Sequence, residues 1–367
     1  MNIGIITSSF PSHPEDLVQA PFLIDFVEGL TKRGHGVFVF TQDRKGIKKE
    51  FLKGVGVTWF SWRGSGRPLV HLSPFHPGDL LRIADLFLKG RRALLPFIRE
   101  NRIDACLALW VLPGGYFARY AHQRSGVPYS VWALGSDIYQ YGKAPFVSGI
   151  MRRIIQDAKG VFADGFDLAD RVEERFGRKC FFLATTRTLS KEKARERGEK
   201  KGNGSPYRFL FVGRLEKVKG IDLLLRSMAM LKKEVRNIHL TVVGKGTMDD
   251  WVRGFIEKEK LGEKVAFMGN VPDETLISLY SSTDCTVIPS RSESIPLVFS
   301  EALNFDTEMI VTDVGDMGRL GRDYAAAWVI PPEDPVALKE MMRERAVFRE
   351  TERKQEPRAR RAELKHL

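Results

Sequence analysis

Two short stretches in the second half of the chain hold the residue types best suited to chemistry. The first is Phe211-Val212-Gly213-Arg214-Leu215-Glu216-Lys217-Val218-Lys219-Gly220. Its apolar start predicts a strand ending at Val212, Gly213 lets the backbone turn, and a helix is expected from about Gly220–Ile221. Arg214 and Lys219 would then stand at the carboxyl end of a strand, beside a helix amino terminus. That place suits a diphosphate: the Arg fork grips phosphate oxygens and Lys adds a point charge. The second stretch runs from Pro289 to Leu303 and carries Glu293 and Glu301. Glu293 falls in the loop after a strand, and Glu301 falls on the helix beyond that loop. The loop and helix start between them offer backbone N–H groups without partners. Two carboxylates flanking such donors suit a sugar nucleotide, with acceptors for hydroxyls and donors for phosphate. The plain alternatives are a solvated basic loop and two ordinary helical glutamates.

These residues need elements to position them, and the chain supplies an alternation of strand-like and helix-like patterns. Strands are expected at Asn2–Thr7, Val37–Thr41, Val57–Trp62, Asp104–Trp110, Tyr129–Leu134, Val161–Ala163 and Cys180–Leu183. Helical spacing falls between most of them, at Leu17–Arg33, Asp79–Glu100, Gly115–Arg124, Val147–Asp157 and Asp167–Phe176. The charged run 189–206, LSKEKARERGEKKGNGSP, breaks the pattern and reads as a linker. Alternation then restarts with strands at Arg208–Val212, His239–Val243, Val265–Met268, Cys285–Pro289 and Met309–Val314. The continuous apolar character of these strands implies parallel sheets covered on both faces. The expected fold class is α/β, with two doubly wound Rossmann-like domains facing across a cleft. The expected boundaries are 1–188, a linker 189–206, 207–345, and a basic tail or return helix at 346–367.

Composition narrows the function classes. The chain has 367 residues, 43% hydrophobic and 28% charged, enough for two cores and unlike a disordered chain. Cys106, Cys180 and Cys285 show neither CxxC spacing nor a His cluster, which argues against a disulfide framework or zinc site. Residues 1–205 hold 32 Lys and Arg against 20 Asp and Glu, and residues 206–367 hold 26 of each. The whole formal charge of +12 therefore lies in the first half. Helix candidate Asp79–Glu100 interleaves Leu80, Leu81, Phe87 and Leu94 with Arg82, Lys89, Arg91, Arg92 and Arg99. It reads as a sheet-covering helix with a basic face, or as a patch for an anionic membrane surface. Nucleic-acid binding lacks any supporting basic-aromatic motif. Met1-Asn2 leads directly into an apolar strand with no basic leader, so a cytoplasmic protein is expected.

The segment from about Tyr207 to Pro332 resembles the donor domain of glycosyltransferase family 4, retaining enzymes of the GT-B fold. The stretches that carry the resemblance are FVGRLEKVKGIDLLL, LTVVGKGTM, VAFMGNVPDETLISLYSSTDCTVIPSRSESIPLVFSEAL and MIVTDVGDMGRL. The amino-terminal half is similar more loosely, through ITSSFPSHPEDLVQAPFLIDFVEGLTKRGHGVFVFTQ and VWALGSDIYQYG. The resemblance implies transfer of a sugar from a nucleotide sugar to a saccharide or lipid-linked acceptor, with retention, in cell-surface polysaccharide or glycolipid synthesis. Arg214 and Lys219 would hold the phosphates, Glu293 the transferred sugar and Glu301 the ribose. The backbone around Ile295, Pro296, Leu297 and Val298 would line the sugar–phosphate pocket, and Gly213, Gly244 and Gly246 would let the chain pass close to the donor. Gly135 and Asp137 would lie on the acceptor side. Glu15, Asp16 and Gln19 come after the first strand and would face the acceptor. No Asp-x-Asp pair is placed for a metal, so two fixed cations would serve and no metal or other cofactor is expected.

The chain departs from the family pattern in places. Leu134 stands where the family has the His of H-G-x-D, and Ser8–His13 stands for its glycine-rich first loop. Asn304-Phe305-Asp306-Thr307-Glu308 stands for its Ala-x-Gly-x-Pro turn, which should alter that turn. These changes keep a second class in view, a degenerate homologue that binds a sugar nucleotide or partner without turnover. A third is a GT-B sugar-nucleotide epimerase. A nicotinamide dehydrogenase is disfavoured because the first strand lacks GxGxxG. His35 reads as structural and Trp59, Trp110 and Trp132 as core, while His71 and His76 flank a Pro-rich loop open to acceptor.

Overall fold

A computed structural model of the chain describes residues 1–13, 20–43, 52–65, 69, 72, 76–139, 145–187, 189 and 205–352. The chain divides into two compact units, Met1–Arg187 and Thr188–Leu367.

The first unit runs β1 (Asn2–Thr7), α1 (Phe22–Lys32), β2 (Gly36–Gln42), β3 (Val55–Phe60), α2 (Pro77–Glu100), β4 (Ala105–Leu109), α3 (Tyr116–Ser125), β5 (Tyr129–Ala133), α4 (Ser136–Tyr139), α5 (Pro145–Asp157), β6 (Gly160–Ala163), α6 (Phe166–Phe176) and β7 (Phe181–Phe182). Its strands pair in parallel in the order β3-β2-β1-β4-β5-β6-β7. Ile6, Phe40, Ala108 and Val131 from the sheet pack with Leu94, Phe117 and Ile154 from the helices. The strand expected to reach Trp110 stops at Leu109, because Trp110 takes a left-handed φ of 62° and opens a tight turn through Gly115. The outward stripe of α2 is more apolar than a solvated basic face requires. Leu80, Leu81 and Leu88 are each more than half exposed. Among the described residues no helix is long and apolar enough to cross a membrane.

The second unit runs β8 (Tyr207–Val212), a 3-10 turn at Lys217–Lys219, α7 (Ile221–Leu231), β9 (Ile238–Val243), α8 (Asp249–Lys258), β10 (Val265–Gly269), α9 (Asp273–Ser282), β11 (Cys285–Ile288), α10 (Leu297–Asn304), β12 (Glu308–Thr312), α11 (Met317–Asp323), β13 (Ala327–Ile330) and α12 (Pro335–Glu352). The sheet order is β10-β9-β8-β11-β12-β13, again parallel. One face packs Phe209, Leu224, Met228 and Met342, and the other packs Leu210, Tyr280, Phe299 and Met317. The short β13 and α11 escape the periodicity reading. A four-residue edge strand after two alanines, and a two-turn helix with two glycines, carry too little pattern. Helix α12 continues through residues 346–352, in keeping with the return helix that was one of the two expectations for 346–367.

Candidate functional site

In an open parallel sheet, ligands bind outside the carboxyl ends of the strands where the strand order reverses. In the second unit that point lies between β8 and β11, its two central strands. The two stretches singled out in the sequence leave the sheet there. Beyond β8 come Gly213, Arg214 and the 3-10 turn. Beyond β11 comes the loop Pro289–Pro296, and then α10.

These loops bring Lys219 and Glu293 together, 74 residues apart in sequence, as an ion pair between Nζ and Oε2. Both side chains are about four-fifths buried. The Ser290 hydroxyl also reaches Glu293 Oε2, at 3.4 Å. Arg214 is exposed, and among the described residues it makes no ion pair. Pro296 sits in extended conformation immediately before α10, so the helix opens at Leu297 with donor groups directed out of its first turn. Ile295, Pro296 and Val298 are buried, which leaves their backbone to do any lining.

Close backbone approaches fix this geometry. Gly220 has φ 71°, and a Cβ there would fall 1.9 Å from the carbonyl oxygen of Pro289. Gly315, beyond β12, has φ 51°, and its Cβ would fall 1.9 Å from the carbonyl oxygen of Glu293. The Thr312 hydroxyl donates to the Ser290 carbonyl at 2.6 Å. The loop carrying Glu293 is thus held from both neighbours. Gly244 and Gly246 are also required by the fold itself. Their Cβ atoms would strike the carbonyls of Gly213 at 1.8 Å and Leu215 at 2.4 Å. Their smallness is used by packing of the β9 loop on the β8 loop, before any ligand is considered.

Glu301 is 3% exposed, and its Oε2 accepts from the Tyr280 hydroxyl at 2.8 Å. Tyr280, fully buried and stacked on Phe305, was not singled out in the sequence. Its signal would have been the lone phenol in an apolar helix beside strand CTVI. Arg291 was also missed, although it lies two residues before Glu293. Its guanidinium donates from Nη1 and Nη2 to Asp222 Oδ1 and Oδ2, at 2.6 and 2.9 Å.

The acceptor-side residues fare otherwise. Glu15, Asp16, Gln19 and His71 lie outside the described residues. His76 is exposed just before α2, and His35 lies in the turn after α1 with its N–H on the Leu30 carbonyl. Gly135 has φ 91°, a left-handed turn that directs the chain from β5 into α4. Asp137, expected on the acceptor side, lies in the first unit as a buried group. It is 0% exposed, and its Oδ2 accepts from the Val111 N–H at 2.6 Å. A carboxylate so placed holds the turn after β4. Burial pushes its carboxyl up to about 6, while backbone N–H groups, Val111 first, pull it down.

That shift sets a pH prediction. The folded-state value lies above the ordinary Asp value, so the fold favours the protonated form. The stability linked to Asp137 is full below about pH 4 and is lost as pH rises through about 6. Asp137→Asn keeps an acceptor for Val111 and removes the charge. We expect it to be more stable than the natural protein at pH 7.5, by up to about 3 kcal/mol, with the difference closing at pH 4. A pH-independent difference in calorimetry would refute this.

Comparisons with known proteins agree with this architecture. A family model described as glycosyl transferases group 1 matches residues 192–362, and one described as a glycosyl transferase 4-like domain matches residues 20–179. An uncharacterized glycosyltransferase of Methanocaldococcus jannaschii is 37% identical over 123 residues, 33% of this chain and 31% of that protein. The chain spans less than half the length of the curated relatives it matches. Among solved structures, sucrose-phosphate synthase from Thermosynechococcus elongatus superposes with a TM-score of 0.71 at 17% identity, covering 95% of this chain and 89% of that one. HepE from Anabaena, solved in complex with UDP-glucose, gives a TM-score of 0.67 at 15% identity, covering 93% and 88%. Both show the GT-B fold.

Proposed function

We propose that this chain, which belongs to the group 1 glycosyl transferases with a 4-like amino-terminal domain, moves a sugar from a nucleoside-diphosphate sugar to a saccharide or lipid-linked acceptor. The observation that carries the reading is the meeting of Lys219 and Glu293 where strand order reverses, beside the opening of α10. Breaking the bond between the sugar and the diphosphate builds negative charge on the leaving phosphate and positive charge on the sugar. Lys219, Arg214 and the first N–H groups of α10 stabilise the first charge where it develops. Glu293 faces the second. Two fixed cations serve the phosphates, so transfer is metal-independent. Retention of configuration is carried over from the resemblance to family 4.

The test is incubation with ADP-, GDP-, UDP- and dTDP-sugars, monitoring release of the nucleoside diphosphate and the melting temperature. One donor should raise the melting temperature, since a ligand of the native state stabilises it by mass action. No shift and no release with any of them would end the reading. A donor that binds without release, with acceptors supplied, would favour the non-catalytic homologue that Leu134 suggests.

The acceptor is lipid-linked in this reading, and synthesis of a cell-surface glycan or glycolipid follows from that, at the cytoplasmic face of a membrane. Support comes from the exposed Leu80, Leu81 and Leu88 of α2, with Arg92 and Arg99 exposed further along the same helix. Exposed leucines flanked by arginines suit an anionic bilayer surface. The natural protein should co-float with vesicles of anionic phospholipid at low salt and be released as salt rises. Leu81→Asp with Leu88→Asp should abolish flotation, whereas equal flotation of the variant would refute the role of α2.

A further inference from the structure

Lys219 stands on a 3-10 turn of three residues, an element with little stability of its own. Its position must come from the groups the turn is tied to, and most of those ties lead to one residue. The Arg291 N–H donates to the Val218 carbonyl at 2.7 Å. Its Nη1 donates to the Lys217 carbonyl at 2.5 Å as well as to Asp222. Its Nε donates to Glu333 Oε1 at 2.5 Å, in the loop between β13 and α12. Asp222 is buried in the first turn of α7, and its forked pairing is the main cause that raises the Arg291 guanidinium above its ordinary range. One side chain therefore joins the turn bearing Lys219, the loop bearing Glu293, a sheet-covering helix and the approach to the last helix.

We propose that Arg291 is the positioning residue that holds Lys219 against the donor diphosphate. The inference rests on the proposed donor site. The Arg291 guanidinium is taken up by Asp222, Glu333 and the Lys217 carbonyl, so it acts through Lys219. The geometry needs a planar fork: a lysine at 291 keeps the charge but cannot hold both Asp222 oxygens and the Lys217 carbonyl together.

The experiment is a double-mutant cycle on binding of UDP, ADP, GDP and dTDP, measured by calorimetric titration. The natural protein should bind one of the four. Arg291→Lys should weaken that diphosphate by about tenfold or more. In a Lys219→Ala background the same change should cost less than about twofold, because the group it positions is gone. Asp222→Asn, which releases the guanidinium from the other side, should give the same pattern with smaller amplitude, and decides the matter where Arg291→Lys fails to fold. Equal losses in both backgrounds would make Arg291 a general support of the fold and overturn the inference. So would undiminished binding by Arg291→Lys. A natural protein that binds none of the four ends the donor reading itself and the inference with it.

Discussion

Lys219→Ala is expected to slow sugar transfer by a hundred- to a thousandfold while the protein melts within a few degrees of the natural one. The kinetic size comes from removing one preorganised charge aimed at a developing anion, which costs roughly 10²–10³ in rate. The small thermal effect comes from the partial exposure of the pair, about one-fifth for each side chain. Lying between an exposed pair and a fully buried one, it contributes about 1–2 kcal/mol, or roughly 3–6 °C in a unit of this size. The pairing with Glu293 sharpens the expectation. Without Lys219, the Glu293 carboxylate confronts an incoming diphosphate with a like charge. Lys219→Ala with Glu293→Gln should therefore bind the nucleoside diphosphate more tightly than Lys219→Ala alone, yet remain as inactive. Glu293→Ala alone should lose transfer to a similar degree while keeping diphosphate affinity. Natural turnover in Lys219→Ala would remove this pair from the reaction.

Much of this site was legible in the sequence because its parts lie at strand ends. Val212 and Ile288 close two continuous apolar runs, and a parallel sheet obliges the loops after such runs to emerge on one edge. Spacing alone thus placed Arg214, Lys219 and Glu293 beyond the carboxyl ends of neighbouring strands. It could not say which group faces which. Arg291 and Asp222 are 69 residues apart, and Tyr280 and Glu301 are 21 apart. No local period links them; only the packing of α7, α9 and α10 on the sheet does. The partner of Asp137 was hidden for a related reason. A polar residue just beyond a strand looks solvent-facing, but α4 is a single turn, and the left-handed Gly135 directs the carboxylate inward to Val111. For the glycines of the β9 loop, sequence shows that a Cβ is unwelcome without showing that the atoms it would strike include the Gly213 and Leu215 carbonyls.

The turn after α10 shows the same limit, and it leads to the largest expected change in stability. Asp306 and Glu308, standing for a Gly and a Pro, were expected to alter that turn. Asp306 takes φ 53°, a left-handed conformation that aspartate tolerates better than most residues. Glu308 opens β12 and is tied twice. The Tyr207 hydroxyl donates to its Oε2 at 2.7 Å, and Arg345 of α12 donates from Nε and Nη2 at 3.2 and 3.0 Å. Arg345 is 7% exposed at its side chain and lies 3.8 Å from the Trp328 ring centroid and 4.9 Å from that of Phe348. Arg345→Ala therefore strips a fork, a stacked cation and the packing of α12 together, and leaves Glu308 with its charge uncompensated. Removing one partner of a fully buried pair costs about 3–5 kcal/mol. Glu308 is 24% exposed, so water recovers part of that, and about 2–3 kcal/mol is the better expectation. The melting temperature should then fall by roughly 5–10 °C. Arg345→Lys should recover little, because an ammonium cannot fork onto both carboxylate oxygens while lying flat on Trp328. Arg345→Met with Glu308→Gln should recover most, because it removes the desolvated charge instead of stranding it and keeps an acceptor for the Tyr207 hydroxyl. If that double variant melts as low as Arg345→Ala, the loss belongs to packing of α12 and the ion pair has no special share in it.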